Sequence, residues 1–188
     1  PLREIESEVF RRALREEGLR ARLILALPPF QFTLDERAAT MEGLRRALSL
    51  GLRRFEVSNL AHFAALHATG SKKLFVMVGR GIGCLNAACH AQLVDLGANV
   101  VAYDIEGDAE GLDDLLRAVS PAQVAVCVYG HVPMFQSRVP APTEGEYRLS
   151  EPRVAVRVEH CEGVTTVTPV RPFSLRKHIT ALRDKGVH

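Results

Sequence analysis

The chain has 188 residues, 47% of them hydrophobic and 24% charged, enough for one domain with a real core and ordinary for a soluble globular protein. Its net charge of +2 argues against a strongly electrostatic nucleic-acid surface and leaves RNA contact open only through a local patch. It carries no run of about 18 apolar residues and so no membrane span. No signal peptide is visible, and a chain that begins at Pro1 is expected to be a fragment of a longer protein.

Residues 2–19 place Leu2, Ile5, Val9, Phe10 and Leu14 near one helical face, and Gly18 ends the pattern. Residues 22–27 (RLILAL) read as a buried strand stopped by Pro28 and Pro29. Thr33 or Asp35 can cap a helix over 36–50, which Gly51 ends. A second strand covers 54–58, with Asn59 at its C-terminal end, and a short helix follows over 60–68. The third strand is 73–78, followed by Gly79-Arg80-Gly81-Ile82-Gly83-Cys84-Leu85-Asn86 and a helix over 87–96. The fourth strand is 99–105, then Glu106-Gly107-Asp108 and a helix over 109–118. The fifth, 124–129, is a β-branched run ending at Tyr129, and Gly130, His131, Ser137 and Arg138 follow where a parallel strand leaves its sheet.

Strands that alternate with helices at this spacing predict a parallel sheet, doubly wound or part of a (β/α) barrel. The pattern then breaks. Residues 140–152 read as a loop, and 153–159 (RVAVRVE) alternate as a half-exposed strand. Gly163 turns the chain into a hairpin partner over 164–170, and Ser174 caps a last helix over 175–185. Cys84, Cys89, Cys127 and Cys161 form no CxxC pair, which fits a reduced, cytoplasmic protein.

Two readings compete at the strand ends. Gly79-x-Gly81-x-Gly83 after a strand, with Asp104 or Glu106 about 20 residues on, is close to a dinucleotide-binding fingerprint and suggests an NAD(P)-binding Rossmann oxidoreductase. Against it, the glycines follow the third strand rather than the first, and no tyrosine is followed by lysine four residues on. The other reading rests on words in order along the chain: Val57-Ser58-Asn59-Leu60, Cys84-Leu85-Asn86, Leu96-Gly97-Ala98, Ile105-Glu106-Gly107-Asp108, Tyr129-Gly130-His131-Val132-Pro133-Met134-Phe135, and Pro172-Phe173-Ser174-Leu175. In that order they resemble the later half of the barrel domain of the peptidase U32 (collagenase-like) family.

The resemblance implies a TIM-like barrel. Five βα strands are too few to close eight, for which about 250 residues is typical. The expectation is therefore a single U32-like domain over 1–188: a partial (β/α) barrel with parallel strands, a C-terminal β-hairpin and a helix. Its open edge would be covered by the rest of its own chain or by a partner subunit. The family implies a collagenase-like peptidase, or else a module of an RNA- or quinone-modifying enzyme with an iron–sulfur cluster. The substrate is accordingly a peptide or RNA.

The loop 131–139 lacks the cysteines of cluster-bearing relatives. Cys84 and Cys89, five apart, would lie about 140° apart round a helix, so no cluster is expected within this chain. The alternative is a non-catalytic half-barrel that binds or scaffolds.

The candidate residues sit at strand ends. Glu106, His131 and Arg138 are the catalytic candidates, as base, base or ligand, and anion clamp. Asn59, Asn86 and Tyr129 are the substrate-binding candidates. Asp108 could join Glu106 on a divalent metal, although capping helix 109–118 explains it as well.

Overall fold

A computed structural model describes residues 18–150, 154–161 and 163–187, together with residues 7, 8, 12 and 14. Most of the helix expected over 2–19 lies outside the described residues. The chain divides into two compact units, Pro1–Val126 with Lys185–His188, and Cys127–Asp184.

In the first unit the apolar runs become five short strands: β1 (Leu25–Ala26), β2 (Arg54–Val57), β3 (Phe75–Val78), β4 (Val100–Tyr103) and β5 (Val124–Val126). They form one sheet in the order β1-β2-β3-β4-β5, and every pair is parallel. Parallel neighbours need a crossover to bring the chain back. Four helices supply it: α2 (Leu34–Ser49), α3 (Ala61–Ala68), α4 (Ala87–Asp95) and α5 (Ala109–Ala118). A one-turn helix α1 (Leu19–Arg22) precedes β1. It takes up the start of the strand expected over 22–27, so only Leu25 and Ala26 pair with β2. Thr33, not Asp35, caps α2. Its hydroxyl accepts from Glu36 N at 3.1 Å while the Glu36 carboxylate accepts from Thr33 N at 3.1 Å, a complete capping box.

The register assigns the two faces. Phe55 lies beside Val76, and Val57, Val78 and Val101 line up across three strands. These side chains are buried in one cluster with Leu44 and Ala47 of α2, Phe63 and Leu66 of α3, and Leu93 of α4. The opposite face carries a smaller cluster of Val100, Ala102 and Ala125 with Phe75 and Met77. Beside it, the Arg54 guanidinium lies 4.0 Å from the centre of the Phe75 ring. A strictly sequential parallel order is that of a (β/α) barrel segment. A doubly wound sheet reverses its order, and dinucleotides bind at the reversal. The described strands contain no such reversal.

The fifth strand is shorter than its apolar run. Its ladder ends with Tyr103 beside Val126, because β4 itself stops there and Asp104 enters a turn closed by Gly107 N on its carbonyl at 3.1 Å. Tyr129 and Gly130 belong instead to β6 (Tyr129–Gly130) of the second unit, antiparallel to β11 (Phe173–Ser174).

The second unit also holds a four-stranded antiparallel sheet in the order β7-β10-β9-β8, made of β7 (Phe135–Ser137), β8 (Gly145–Arg148), β9 (Ala155–Cys161) and β10 (Val164–Pro169). The expected hairpin is β9 and β10. The segment 140–152, read as a loop, contains β8. All four β8 residues are exposed, so no apolar alternation marks the strand. The last helix starts later than expected. A 3-10 turn over Arg176–His178 precedes α6 (Ile179–Asp184).

Candidate functional site

The loops after β1, β2, β3 and β4 lie at the C-terminal edge of the first unit's sheet. After β2, the Asn59 side-chain oxygen accepts from Ala61 N at 2.9 Å and ties the loop to α3. His62 on α3 is fully buried, and its Nδ1 accepts from Ser58 N at 3.3 Å. Nε2 therefore carries the proton, and it closes no hydrogen bond of normal geometry. Burial lowers the His62 pKa, and the nearby Pro28 carbonyl offsets this only in part.

A pH dependence follows from His62. In the unfolded chain it titrates near 6.5, and in the fold it stays neutral to lower pH. The unfolded state then binds more protons below that value. Stability is full above about pH 6.5 and is lost as the pH falls from there through the folded value. Thermal unfolding midpoints between pH 7.5 and 5.5 are expected to fall for the wild type and to fall less for His62→Gln. Parallel curves for the two proteins would show that His62 is not the group responsible.

After β3, the glycine-rich segment fits closely against the end of β2. A Cβ on Gly81 would stand 2.8 Å from the Ser58 carbonyl oxygen and 3.1 Å from the Ser58 Cβ, and one on Gly79 would meet the Glu56 carboxylate. Gly81 thus answers a close backbone approach between two strand ends, and Gly79 makes room for side chains of β2 and its end, with no phosphate required. Gly81→Ala is expected to cost about 1–3 kcal/mol, because the first atom it meets is backbone and cannot swing aside. A urea-unfolding midpoint equal to that of the wild type would refute this.

Beyond the glycines, Cys84 forms an isolated parallel bridge with Tyr103, and Asp104 N donates to its carbonyl at 3.0 Å. Asn86 caps α4 by accepting from Cys89 N at 2.9 Å. After β4, Asp104 Oδ1 accepts from Glu106 N at 2.9 Å, and Asp108 caps α5 by accepting from Gly111 N at 2.7 Å. The buried Tyr103 hydroxyl donates to the Asp108 carbonyl at 3.2 Å. Burial first, and then the Asp108 charge, raise its pKa.

Asn59, Asn86 and Asp108 thus each spend a side-chain oxygen on the helix that follows them. Glu106 is exposed on a turn that its own backbone anchors. In the second unit, Tyr129 and His131 are exposed, and Arg138 directly follows β7. His131 Nδ1 lies 3.1 Å from the Pro169 carbonyl. A carbonyl only accepts, so Nδ1 donates to it, and in the neutral ring the lone pair is on Nε2. Among the described residues, no group of three or more His, Cys, Asp and Glu is placed to hold a metal ion. Cys84 and Cys89 do not share a helix, so the angle expected between them does not apply. Cys84 precedes the helix cap Asn86, and its thiol donates to the Asn86 carbonyl at 3.8 Å.

The chain matches no protein-family model, no curated protein and no solved structure.

Sequence reasoning passed over the apolar side chains on these loops. Phe30, Phe32 and Leu34 after β1, Leu60 after β2 and Leu85 after β3 are all exposed, Leu34 to 80%. The Phe30 and Phe32 rings stack with centroids 5.4 Å apart. The word PPFQF, with two aromatics in a proline-marked loop, was the available signal. No helix among the described residues is long and apolar enough to cross a membrane.

Proposed function

We propose that this chain is a U32-type (β/α) module of a collagenase-like peptidase. In this reading the loops after β1–β3 hold an apolar stretch of a peptide, and Glu106 transfers the proton. The observation that carries it is the row of exposed apolar side chains, Phe30, Phe32, Leu34, Leu60 and Leu85, on three successive loops at the C-terminal edge of a parallel sheet. That edge is where (β/α) enzymes bind their ligands, and grouped exposed apolar residues mark binding surfaces. The module is proposed to work with further strands, from its own chain or a partner, on the outer edges of β1 and β5, to which no described strand pairs. In the second unit, taken by itself, His131 is the alternative to Glu106 for proton transfer, through Nε2, and Arg138 is the proposed carboxylate clamp. Titrating an unlabelled gelatin-derived peptide against the chain by fluorescence anisotropy of a labelled one tests the binding half. Phe32→Ala is expected to weaken binding severalfold, and an unchanged dissociation constant would remove this surface from the proposal.

A second reading is a non-catalytic half-barrel that binds or scaffolds. It is favoured by the use of Asn86 and Asp108 as helix caps and of the Asn59 side chain to hold the turn before α3. Peptide binding without turnover in the longest native form of the protein would select it. Stoichiometric iron and acid-labile sulfide in that form, purified without oxygen, would instead select RNA or quinone modification.

A further inference from the structure

The four-stranded sheet of the second unit ends in an open edge. β8 is the last strand in its order, and among the described residues no strand pairs with its outer side. All of its residues are exposed. Leu149 N donates to the Val154 carbonyl at 2.9 Å, so the backbone of Leu149 is turned toward β9. Backbone groups of an antiparallel strand alternate in direction. Tyr147 and Gly145 therefore also face β9, and the N–H and C=O groups of Glu146 and Arg148 point outward. The side chains alternate as well. Tyr147 stands beside the buried Val156 on one face, while Glu146 stands beside Arg157 on the other and pairs with it at 2.8 Å. Arg148 shares the face of Glu146 and forms no ion pair with a described residue. Charges on an edge strand usually keep other strands away. Here they are opposite in sign and two residues apart, so a second copy of the strand meets them as complements.

We propose that β8 pairs with β8 of a second copy of this chain, antiparallel about a two-fold axis at Tyr147. In that register Glu146 of each chain lies opposite Arg148 of the other. These are the residues whose backbone points outward, so each pair exchanges both of its N–H···O bonds. Opposite charges directly across a ladder add to the pairing. The two Tyr147 residues form the non-hydrogen-bonded pair at the axis, where side chains come closest and aromatic pairs are favoured. The Tyr147 hydroxyl already donates to Thr143 Oγ1 at 2.6 Å, which holds the ring before a partner arrives. The neighbouring registers fail. One sets Glu146 against Glu146 and the other Arg148 against Arg148, and like charges directly opposite are destabilising. A slip of one residue sets outward-turned groups against inward-turned ones and bonds neither. The pairing does not depend on the peptidase reading.

Sedimentation equilibrium of the full chain, from micromolar concentrations to about 1 mM, tests it over the range of a small interface. The weight-average mass is expected to rise from 20.7 kDa toward twice that value. Arg148→Glu sets a carboxylate against Glu146 in both pairs, and Glu146→Arg sets a guanidinium against Arg148 in both. Each variant alone is expected to keep the mass of one chain. Their equimolar mixture is expected to dimerise, because every carboxylate then meets a guanidinium across the axis. The proposal is overturned if the wild type keeps the mass of one chain throughout, if Arg148→Glu dimerises as the wild type does, or if the mixture of the two folded variants stays monomeric. Glu146→Arg gives up the ion pair with Arg157. If that variant does not fold, Arg148→Glu decides against the wild type by itself.

Discussion

Phe55→Ala is expected to cost about 3–5 kcal/mol of folding stability, the range for emptying a buried aromatic site. Phe55 lies on β2, the strand that pairs with both β1 and β3, and it is completely buried. It shares its cluster with Leu44 and Ala47 of α2 and with Phe63 and Leu66 of α3, so two crossover helices and the sheet meet around it. These neighbours sit on separate elements whose backbones are fixed by the parallel ladder, and they cannot all collapse into the gap. The loss combines the transfer of the ring to water with a residual cavity. A total of 5–15 kcal/mol is usual for a folded domain, so this substitution removes a large part of it. Guanidinium unfolding checks it, with the midpoint expected to fall and the slope to stay unchanged. Phe32→Ala is the control. Its ring is half exposed, and its removal is expected to change stability by no more than about 0.5 kcal/mol. Equal midpoints for the two variants would mean that Phe55 does not hold the helices to the sheet.

Glu106→Gln is expected to lower turnover of a susceptible peptide by about 10²–10⁴-fold in kcat, the usual yield of a positioned acid or base. The amide keeps the shape of the side chain and removes its ability to accept a proton. The backbone that presents Glu106 is held by Asp104, through Glu106 N on Oδ1 at 2.9 Å and Gly107 N on the carbonyl at 3.1 Å. Neither bond involves the Glu106 carboxylate, so the variant should fold and melt as the wild type does. A large loss in kcat with KM unchanged would assign the reacting group, because it removes an interaction made only in the transition state. An unaffected kcat would exclude Glu106. His131→Gln then becomes the deciding variant, since it removes the Nε2 lone pair that the Pro169 carbonyl leaves available.

Much of the local structure is legible in the chain itself. Thr33 with Glu36, Asn86 and Asp108 are polar residues placed just before helical periodicity, and each closes its cap within three residues. The alternation of 155–161 with 164–169 around Gly163 likewise announces its hairpin. These features depend on hydrogen bonds and side-chain periods that span only a few positions.

Three features of the fold were settled by partners distant in sequence. The apolar run at 124–129 divides at Val126 because β4 ends at Tyr103, and a strand lasts only as long as its neighbour. The glycines at 79 and 81 mimic a phosphate loop, yet Gly81 is explained by the Ser58 backbone and Gly79 by the Glu56 and Ser58 side chains, some 20 residues earlier. Cys84 stays off the helix that carries Cys89 because it bridges to Tyr103, whereas a helical count would put both on one helix. Caps, turns and burial periods are determined by the sequence alone because their partners lie within a turn or two of the chain. Strand order, strand ends and the place of Cys84 outside the helix were decided by tertiary structure, because each depends on which remote segment supplies the next hydrogen bond or the next buried surface.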